Sequence, residues 1–251
     1  MKELKRIPLI IISLLFFIPI LFSLIKSLAF RESLLTLRQY WQLFVNNYPY
    51  FKYFWNSVFY SVINAALCAI ISLPVGFFFA KIKFRGKNIL FFLYMLTMML
   101  PLQSTMLSSY ILLRELKLLD TPLALILPMV FSPQAVFLYR QFIKVIPDDT
   151  LDSARLETSS AIKILRHVII PEIKPAIITL FILIFCESWN MVEQAIIFTA
   201  NKPEVMPLSV KLSELPDNVV FAGSVVYMFP IIVLFLLFEN EIEKGVKYYR
   251  W

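Results

Sequence analysis

The residues of this chain that could do chemistry are concentrated in one polar stretch, residues 147–175. The stretch carries five of the 17 Asp and Glu residues, four of the 24 Lys and Arg residues and the only histidine, His167. Acid–base catalysis or metal binding would need His, Cys or carboxylate side chains that converge on one point. Here the carboxylates are spread along a predicted helix beside a lone histidine. The pattern therefore predicts no catalytic residue and no metal site, and it favours a solvated or interface position for His167.

A second set of polar residues lies inside an apolar segment. Glu187 and Glu193 are the only carboxylates within the apolar segments of this chain, and ionisable groups at such depth usually face a cavity or a partner. Helical spacing would place Glu187, Asn190 and Gln194 on one face, with Trp189 and Glu193 on its flank. Carboxylates, amides and an aromatic ring suit a polyhydroxylated ligand. The alternative is a buried hydrogen-bond network between subunits.

The elements that must position these residues are long apolar segments. The chain has 251 residues, of which 59% are hydrophobic and only 16% are charged, whereas soluble domains carry about 25% charged residues. Six segments are long enough to cross a bilayer, and they lie at about 7–25, 54–80, 88–113, 121–139, 175–198 and 219–238. Pro101 is expected to kink the third of them. We therefore predict an all-α integral membrane protein with a single domain, residues 1–251, and an uncleaved first span rather than a signal peptide.

The distribution of basic residues predicts the orientation of these spans. With the N-terminus inside, 16 of the 24 Lys and Arg residues fall in inside segments and 8 fall in outside segments, as the positive-inside rule requires for short loops. Both termini and the polar stretch are therefore predicted to be cytoplasmic. The net charge of +7 is explained by these loops, so no nucleic-acid partner is predicted.

The polar stretch itself predicts two short helices joined by a turn. Asp148 or Asp149 could cap the first helix, because both follow a proline and precede a helical pattern. The weak helix formers Thr158, Ser159 and Ser160 predict its end. A second helix would then run to about Pro171, and the pair would protrude between two spans. On the residues alone, an ordinary solvated loop remains an equal alternative.

The polar stretch resembles the cytoplasmic coupling loop of the membrane subunits of binding-protein-dependent ABC transporters, the carbohydrate-uptake permeases above all. The residues that carry the resemblance are Asp152-Ser153-Ala154, Glu157-Thr158-Ser159, Pro171 and Pro175. The likeness covers about residues 54–246, and it includes the basic turn KFRGK after the second segment and Ser188-Trp189-Asn190 in the fifth. Thr158 stands where the family has a glycine, so the resemblance implies a turn without glycine's left-handed freedom.

By this resemblance, the chain has the type I ABC importer permease fold, with a coupling helix that docks into a cytoplasmic ATPase subunit. The residues implied in that contact are Asp152, Ala154, Arg155, Leu156, Glu157, Thr158 and Ser159. The fifth span of the family helps to line the translocation path. The resemblance therefore implies a substrate pathway along Glu187, Trp189, Asn190, Glu193 and Gln194.

The chain cannot supply its own energy source. Its four glycines allow no G-x-x-x-x-G-K-[ST] phosphate-binding loop to be written, so it is not expected to be an enzyme or to hold a cofactor. ATP and Mg are expected on partner subunits. The resemblance implies two cytoplasmic ATP-binding subunits, a second homologous permease subunit and an extracytoplasmic solute-binding protein. It also implies the bacterial cytoplasmic membrane and import of a sugar or oligosaccharide.

Two alternatives to sugar import stay open. The first keeps the architecture but changes the cargo to another solute, or the direction to export. The second is an ATP-independent channel or an integral-membrane enzyme. An enzyme would need clustered His, Asp or Glu at a membrane face, and a channel would need no docking loop.

Overall fold

A computed structural model describes residues 6–29, 36–45 and 50–247, with side chains outside 6–13, 102 and 244–247. The basic residues Lys2 and Lys5, on which the predicted orientation partly depends, lie outside the described residues. The described residues form helices and turns and contain no strand. The helices of eight or more residues are Arg6–Leu28, Arg38–Val45, Tyr50–Lys81, Lys87–Leu96, Leu102–Glu115, Pro122–Val130, Pro133–Val145, Asp148–Glu157, Lys174–Trp189 and Val220–Lys247.

Three of the described helices are long and apolar enough to cross a membrane: Tyr50–Lys81, Pro122–Val145 and Val220–Glu243. The number rises to five if each of two bent pairs is one span. These pairs are Lys87–Met99 with Gln103–Glu115, and Ala161–Glu172 with Lys174–Trp189. Leu14–Leu28 is a shorter apolar helix. The all-α prediction is thus confirmed for the described residues, several of whose helices are long and apolar enough for a membrane protein. The count of six spans and their orientation stay predictions.

The third predicted span is sharply bent at Pro101. The helix Lys87–Leu96 passes into a short 3-10 turn, and the next helix starts at Leu102 with its axis turned by 96°. Pro101 has φ −65° and ψ 143°, which is an extended conformation. Proline lacks the N–H that would continue the helical hydrogen bonds, so the kink predicted at this residue is confirmed.

The fifth predicted span, 175–198, contains two helices rather than one continuous helix. The first helix, Lys174–Trp189, ends directly before Asn190, and a second, short helix runs from Glu193 to Phe198. The Asn190 amide nitrogen Nδ2 donates to the carbonyl oxygen of Cys186 at 2.8 Å. Asparagine side chains compete in this way with the backbone for hydrogen bonds, which helps to end the helix.

The longest helix, Tyr50–Lys81, is central to the packing, and we call it the long helix. It packs against the helices Pro133–Val145 and Lys174–Trp189. Their buried side chains form one apolar core that includes Leu73, Tyr139 and Leu180. The sequence allows this close packing because Gly76 has no side chain: a Cβ atom there would lie 2.6 Å from Cβ of Tyr139.

Gly76→Ala is expected to destabilise the fold by about 1–3 kcal/mol, as overpacked cores usually do. The added methyl group would meet Tyr139 Cβ and, at 3.2 Å, the backbone nitrogen of Arg140, neither of which can rotate away. Thermal unfolding of the purified chain in detergent measures the effect. Gly223→Ala is the matched control, because its nearest neighbour is the flexible end of the Leu215 side chain. Equal loss in both variants would contradict the argument.

Candidate functional site

The first candidate site is the helix Asp148–Glu157, which we call the polar helix. Pro147 precedes it with φ −58° and ψ 141°, and no side chain caps its start. Asp148 and Asp149 lie in its first turn, so neither is the cap that the sequence predicted. The Asp148 carboxylate instead accepts a hydrogen bond from Lys81 Nζ at 2.7 Å. That bond and the charge of Lys81 hold the pKa of the Asp148 carboxyl below its usual value.

The polar helix has one buried and one exposed leucine. Leu151 is 2% exposed and packs in the core with Ile143 and Ile164, whereas Leu156 is 91% exposed. Five residues turn an α-helix by about 140° relative to its starting direction, so the two side chains point to nearly opposite faces. Leu151 therefore anchors the helix to the rest of the chain, and Leu156 is free to contact another molecule.

The remaining residues predicted for the docking contact surround Leu156. Asp152, Arg155, Glu157 and Ser159 are exposed, while Ala154 and Thr158 are half-buried. Arg155 Nη1 lies 2.9 Å from Asp152 Oδ1 along the same helix. The outer face of the polar helix is therefore an apolar side chain surrounded by charges, which is the composition of an interface centre with a polar rim.

The turn after the polar helix does not need a glycine. Thr158 has φ −152° and ψ 136°, an extended conformation that any residue can adopt. Its hydroxyl accepts a hydrogen bond from the Ser160 backbone N–H at 3.2 Å. Ser160 then caps the next helix by accepting from the Lys163 N–H. The replacement of the family glycine by Thr158 is thus accommodated without backbone strain.

His167 lies on the exposed surface of the second helix of the stretch. Its Nδ1 is 3.0 Å from the carbonyl oxygen of Lys163. Within the part of the chain that the structure describes, no group of three or more His, Cys, Asp or Glu side chains could hold a metal ion.

The second candidate site is a cavity of about 770 Å³. The cavity lies between the bend at Pro101 and the break in the helix after Trp189, so both helix interruptions border it. Its polar lining residues are Thr97, Gln103, Thr105, Ser109, Ser132, Gln134, Glu187, Asn190, Glu193 and Gln194. Among the described residues, no Lys or Arg lines it. The cavity therefore offers carboxylates, amides and hydroxyls, without a positive charge.

Four of the five residues predicted for the pathway are brought together here: Glu187, Asn190, Glu193 and Gln194. Their common face is not a helical face, because the helix ends at Trp189. Gln103 Nε2 donates to Glu193 Oε2 at 3.3 Å and joins the two interrupted segments. Gln103 and Gln134 also line the cavity, and a polar side chain inside an apolar segment is the signal in the sequence that could have found them.

The structure places Trp189 away from the cavity. Its side chain is fully buried, and its ring stacks on Phe185 with centroids 5.7 Å apart. The Tyr227 hydroxyl lies 3.0 Å from both the Trp189 carbonyl oxygen and Asn190 Oδ1. Trp189 thus belongs to the packing behind the cavity, where it supports the backbone that presents Asn190.

Comparison with known proteins identifies the fold and the family. A family model described as "Binding-protein-dependent transport system inner membrane component" matches residues 72–247. The chain belongs to this family. It is therefore a permease subunit of an ABC transport system in a bacterial membrane, and the resemblance that the polar stretch indicated is confirmed.

The permease is similar along most of its length to curated relatives. It is 32% identical over 254 residues to the arabinooligosaccharides transport system permease protein AraQ of Bacillus subtilis (strain 168), which covers 94% of this chain and 90% of the relative. It is 26% identical over 200 residues to the sn-glycerol-3-phosphate transport system permease protein UgpE of Brucella abortus (strain 2308), over 76% and 71% of the two chains.

A solved structure has the same fold. It is a bacterial ABC transporter involved in the import of the acidic polysaccharide alginate, and one of its chains matches with a TM-score of 0.84. The match covers 96% of both chains at 20% sequence identity. At that identity the likeness shows the fold alone.

Proposed function

We propose that this permease forms half of the translocation pathway of an ATP-driven importer for an uncharged oligosaccharide. The observation that carries the proposal is the lining of the cavity: two carboxylates, four amides and several hydroxyls, with no Lys or Arg among the described residues. Sugar hydroxyls both donate and accept hydrogen bonds, so carboxylates and amides can pair with them in many orientations. The similarity to an arabinooligosaccharide permease supports the same class of solute.

The charge of the cavity argues against an anionic solute. Glu187 and Glu193 both line it, and a phosphate or carboxylate group beside them would meet like charge without a nearby cation. Like charges placed next to each other across a binding interface cost several kcal/mol, on the order of a hundredfold or more in affinity. We therefore favour a neutral saccharide over a glycerol phosphate, even though a glycerol-phosphate permease is among the relatives.

The membrane topology is part of the proposal. Three long helices, the bent segment at Pro101, the helix Lys174–Trp189 with the short helix Glu193–Phe198, and the shorter helix Leu14–Leu28 would make six spans. Residues 161–172 would then belong to the cytoplasmic polar stretch. With both termini cytoplasmic, the excess of Lys and Arg falls on the inside. The polar helix would then protrude from the cytoplasmic face, where an ATP-binding subunit can reach it.

The proposed complex contains this chain, a second homologous permease, two cytoplasmic ATP-binding subunits and an extracytoplasmic solute-binding protein. ATP and Mg would bind to the ATP-binding subunits. The exposed Leu156 supports docking of one such subunit on the polar helix. Large apolar side chains that line the cavity are exposed, among them Leu100 at 55% and Phe131 at 71%, and they support closure of the cavity by the second permease.

An uptake experiment tests the choice of solute. The gene for this chain is deleted in its native bacterium, and entry of radiolabelled arabinooligosaccharides and of sn-glycerol-3-phosphate is compared before and after complementation. We expect loss of neutral oligosaccharide uptake, restored by the wild-type chain, with glycerol-phosphate entry unchanged. Loss confined to the anionic solute would favour the second candidate, a permease for a different cargo, and accumulation of the sugar in the deleted strain would favour export.

A further inference from the structure

One ion pair joins the long helix to the polar helix. Lys81, the last residue of the long helix, lies with its Nζ 2.7 Å from Asp148 Oδ1, and Asp148 is the first residue of the polar helix. The same ammonium group donates to the carbonyl oxygen of Ile146 at 2.5 Å. Ile146 follows directly on the helix Pro133–Val145. Lys81 thus connects the ends of three helices.

The surroundings of Lys81 differ from those of a surface ion pair. The Lys81 side chain is only 7% exposed, whereas that of Asp148 is 73% exposed. A buried ammonium group must keep its partners, because loss of one leaves a buried polar group unsatisfied. Ile146 is itself buried in the core, and its carbonyl oxygen accepts the hydrogen bond from Lys81. The packed core therefore fixes the position of the Lys81 end of the ion pair.

The helix dipoles reinforce this contact. Lys81 lies in the last turn of the long helix, where the dipole is negative, and Asp148 lies in the first turn of the polar helix, where it is positive. A cation is favoured at a helix C-terminus and an anion at an N-terminus. The pair joins these two opposite ends, so any displacement of the polar helix along its axis would pull on the long helix.

The long helix also contacts a residue beside the cavity. Asn64, fully buried on this helix, donates from Nδ2 to the Ser188 Oγ at 2.8 Å. Ser188 is the neighbour of Glu187, which lines the cavity. A displacement that enters the long helix at Lys81 can therefore reach the cavity wall through Asn64 and Ser188.

We propose that Lys81 is a positioning residue that transmits movement of the polar helix to the long helix, so that ATP hydrolysis is coupled to opening of the cavity. The inference rests on the proposed function, because it requires an ATP-binding subunit on the polar helix. Lys81 contacts neither solute nor nucleotide; it acts through Asp148 on one side and through the long helix on the other.

The test uses the whole transport complex, purified through a tag on this chain and reconstituted in proteoliposomes with its binding protein. The variants are Lys81→Met, Asp148→Asn and the double variant. Asp149→Asn is the matched control, since its carboxylate is one residue away and forms no ion pair with residues 6–29, 36–45 or 50–247. The quantity measured is solute transported per ATP hydrolysed, which a loss of folding alone would not change.

In Lys81→Met and in Asp148→Asn we expect the ratio of solute transported to ATP hydrolysed to fall about tenfold. A change of that size is within the usual range for coupling between two sites. The double variant should be no worse than either, because both changes remove the same contact. Lys81→Arg should restore most of the ratio, and Asp149→Asn should leave it unchanged. Asp148 is mostly exposed, so Asp148→Asn keeps the test valid if Lys81→Met fails to fold.

An unchanged ratio in Asp148→Asn would overturn the proposal, and so would a fall confined to Lys81→Met, because the ion pair would then not carry the coupling. In both cases the ATP-binding subunits would still be present in the complex. Their absence from the wild-type complex would instead overturn the proposed function. The two failures are therefore distinguishable in the same preparation.

Discussion

Leu156→Asp is expected to release the ATP-binding subunit from this permease while leaving the fold of the chain intact. Leu156 is 91% exposed, so the isolated chain gains little from it. In the proposed complex the side chain would be buried, which is worth about 1.5–3 kcal/mol for a leucine, and a buried aspartate would add a desolvation cost. We expect the affinity to fall by about 30-fold or more, as for a central interface residue. Co-purification from mildly solubilised membranes measures the loss.

Two further variants separate docking from folding. Leu156→Met keeps an apolar side chain of similar size and should retain the ATP-binding subunit. Leu151→Ala removes the buried anchor on the opposite face and should lower stability by about 2–5 kcal/mol, which appears as earlier thermal unfolding. If Leu156→Asp retained the ATP-binding subunit in wild-type amount, the polar helix would not be the docking site, and a channel or membrane enzyme would have to be considered again.

Glu187→Gln is expected to reduce solute transport by about 10-fold or more while the complex stays assembled. The carboxylate lines the cavity together with Asn190 and Gln194, and it accepts hydrogen bonds from sugar hydroxyls in our proposal. Hydrogen bonds to charged groups contribute about 1.5–3 kcal/mol, and each 1.4 kcal/mol corresponds to about tenfold. The amide keeps the size of the side chain but loses the charge. Uptake of labelled oligosaccharide into proteoliposomes measures the effect.

The matched control is Glu239→Gln, at a carboxylate beyond the kink at Phe238 and outside the cavity lining. It should transport at the wild-type rate. The alternative role for Glu187 is a hydrogen-bond network between subunits. In that case Glu187→Gln would release the second permease from the complex, and co-purification in the same preparation would reveal it. Unchanged uptake with an intact complex would remove Glu187 from the pathway.

Local features could be predicted from the sequence because they depend on residues within a turn or two. The bend at Pro101 follows from one missing backbone donor. The end of the polar helix near Thr158 and the start of the next helix after Ser160 follow from helix propensity and capping. The family was also readable from the sequence, because most of the residues that carry it lie within the one polar stretch. The opposite positions of Leu151 and Leu156 depend on helical periodicity, but only the tertiary structure decides which of them is buried.

The cavity depended on contacts between distant segments, which no local pattern specifies. Helical spacing predicted that Trp189 lies on the flank of the pathway. In the structure its ring packs instead against the rings of Phe185 and Tyr227 in the core. The break at Asn190 then turned Glu193 toward Gln103, 90 residues earlier in the chain. The sequence alone determined that this chain is a helical membrane permease, and it predicted the docking stretch. The tertiary structure decided which polar side chains share a cavity and that Lys81 contacts Asp148. The reason is that tertiary packing determines which faces of the helices contact each other, and the sequence pattern alone does not.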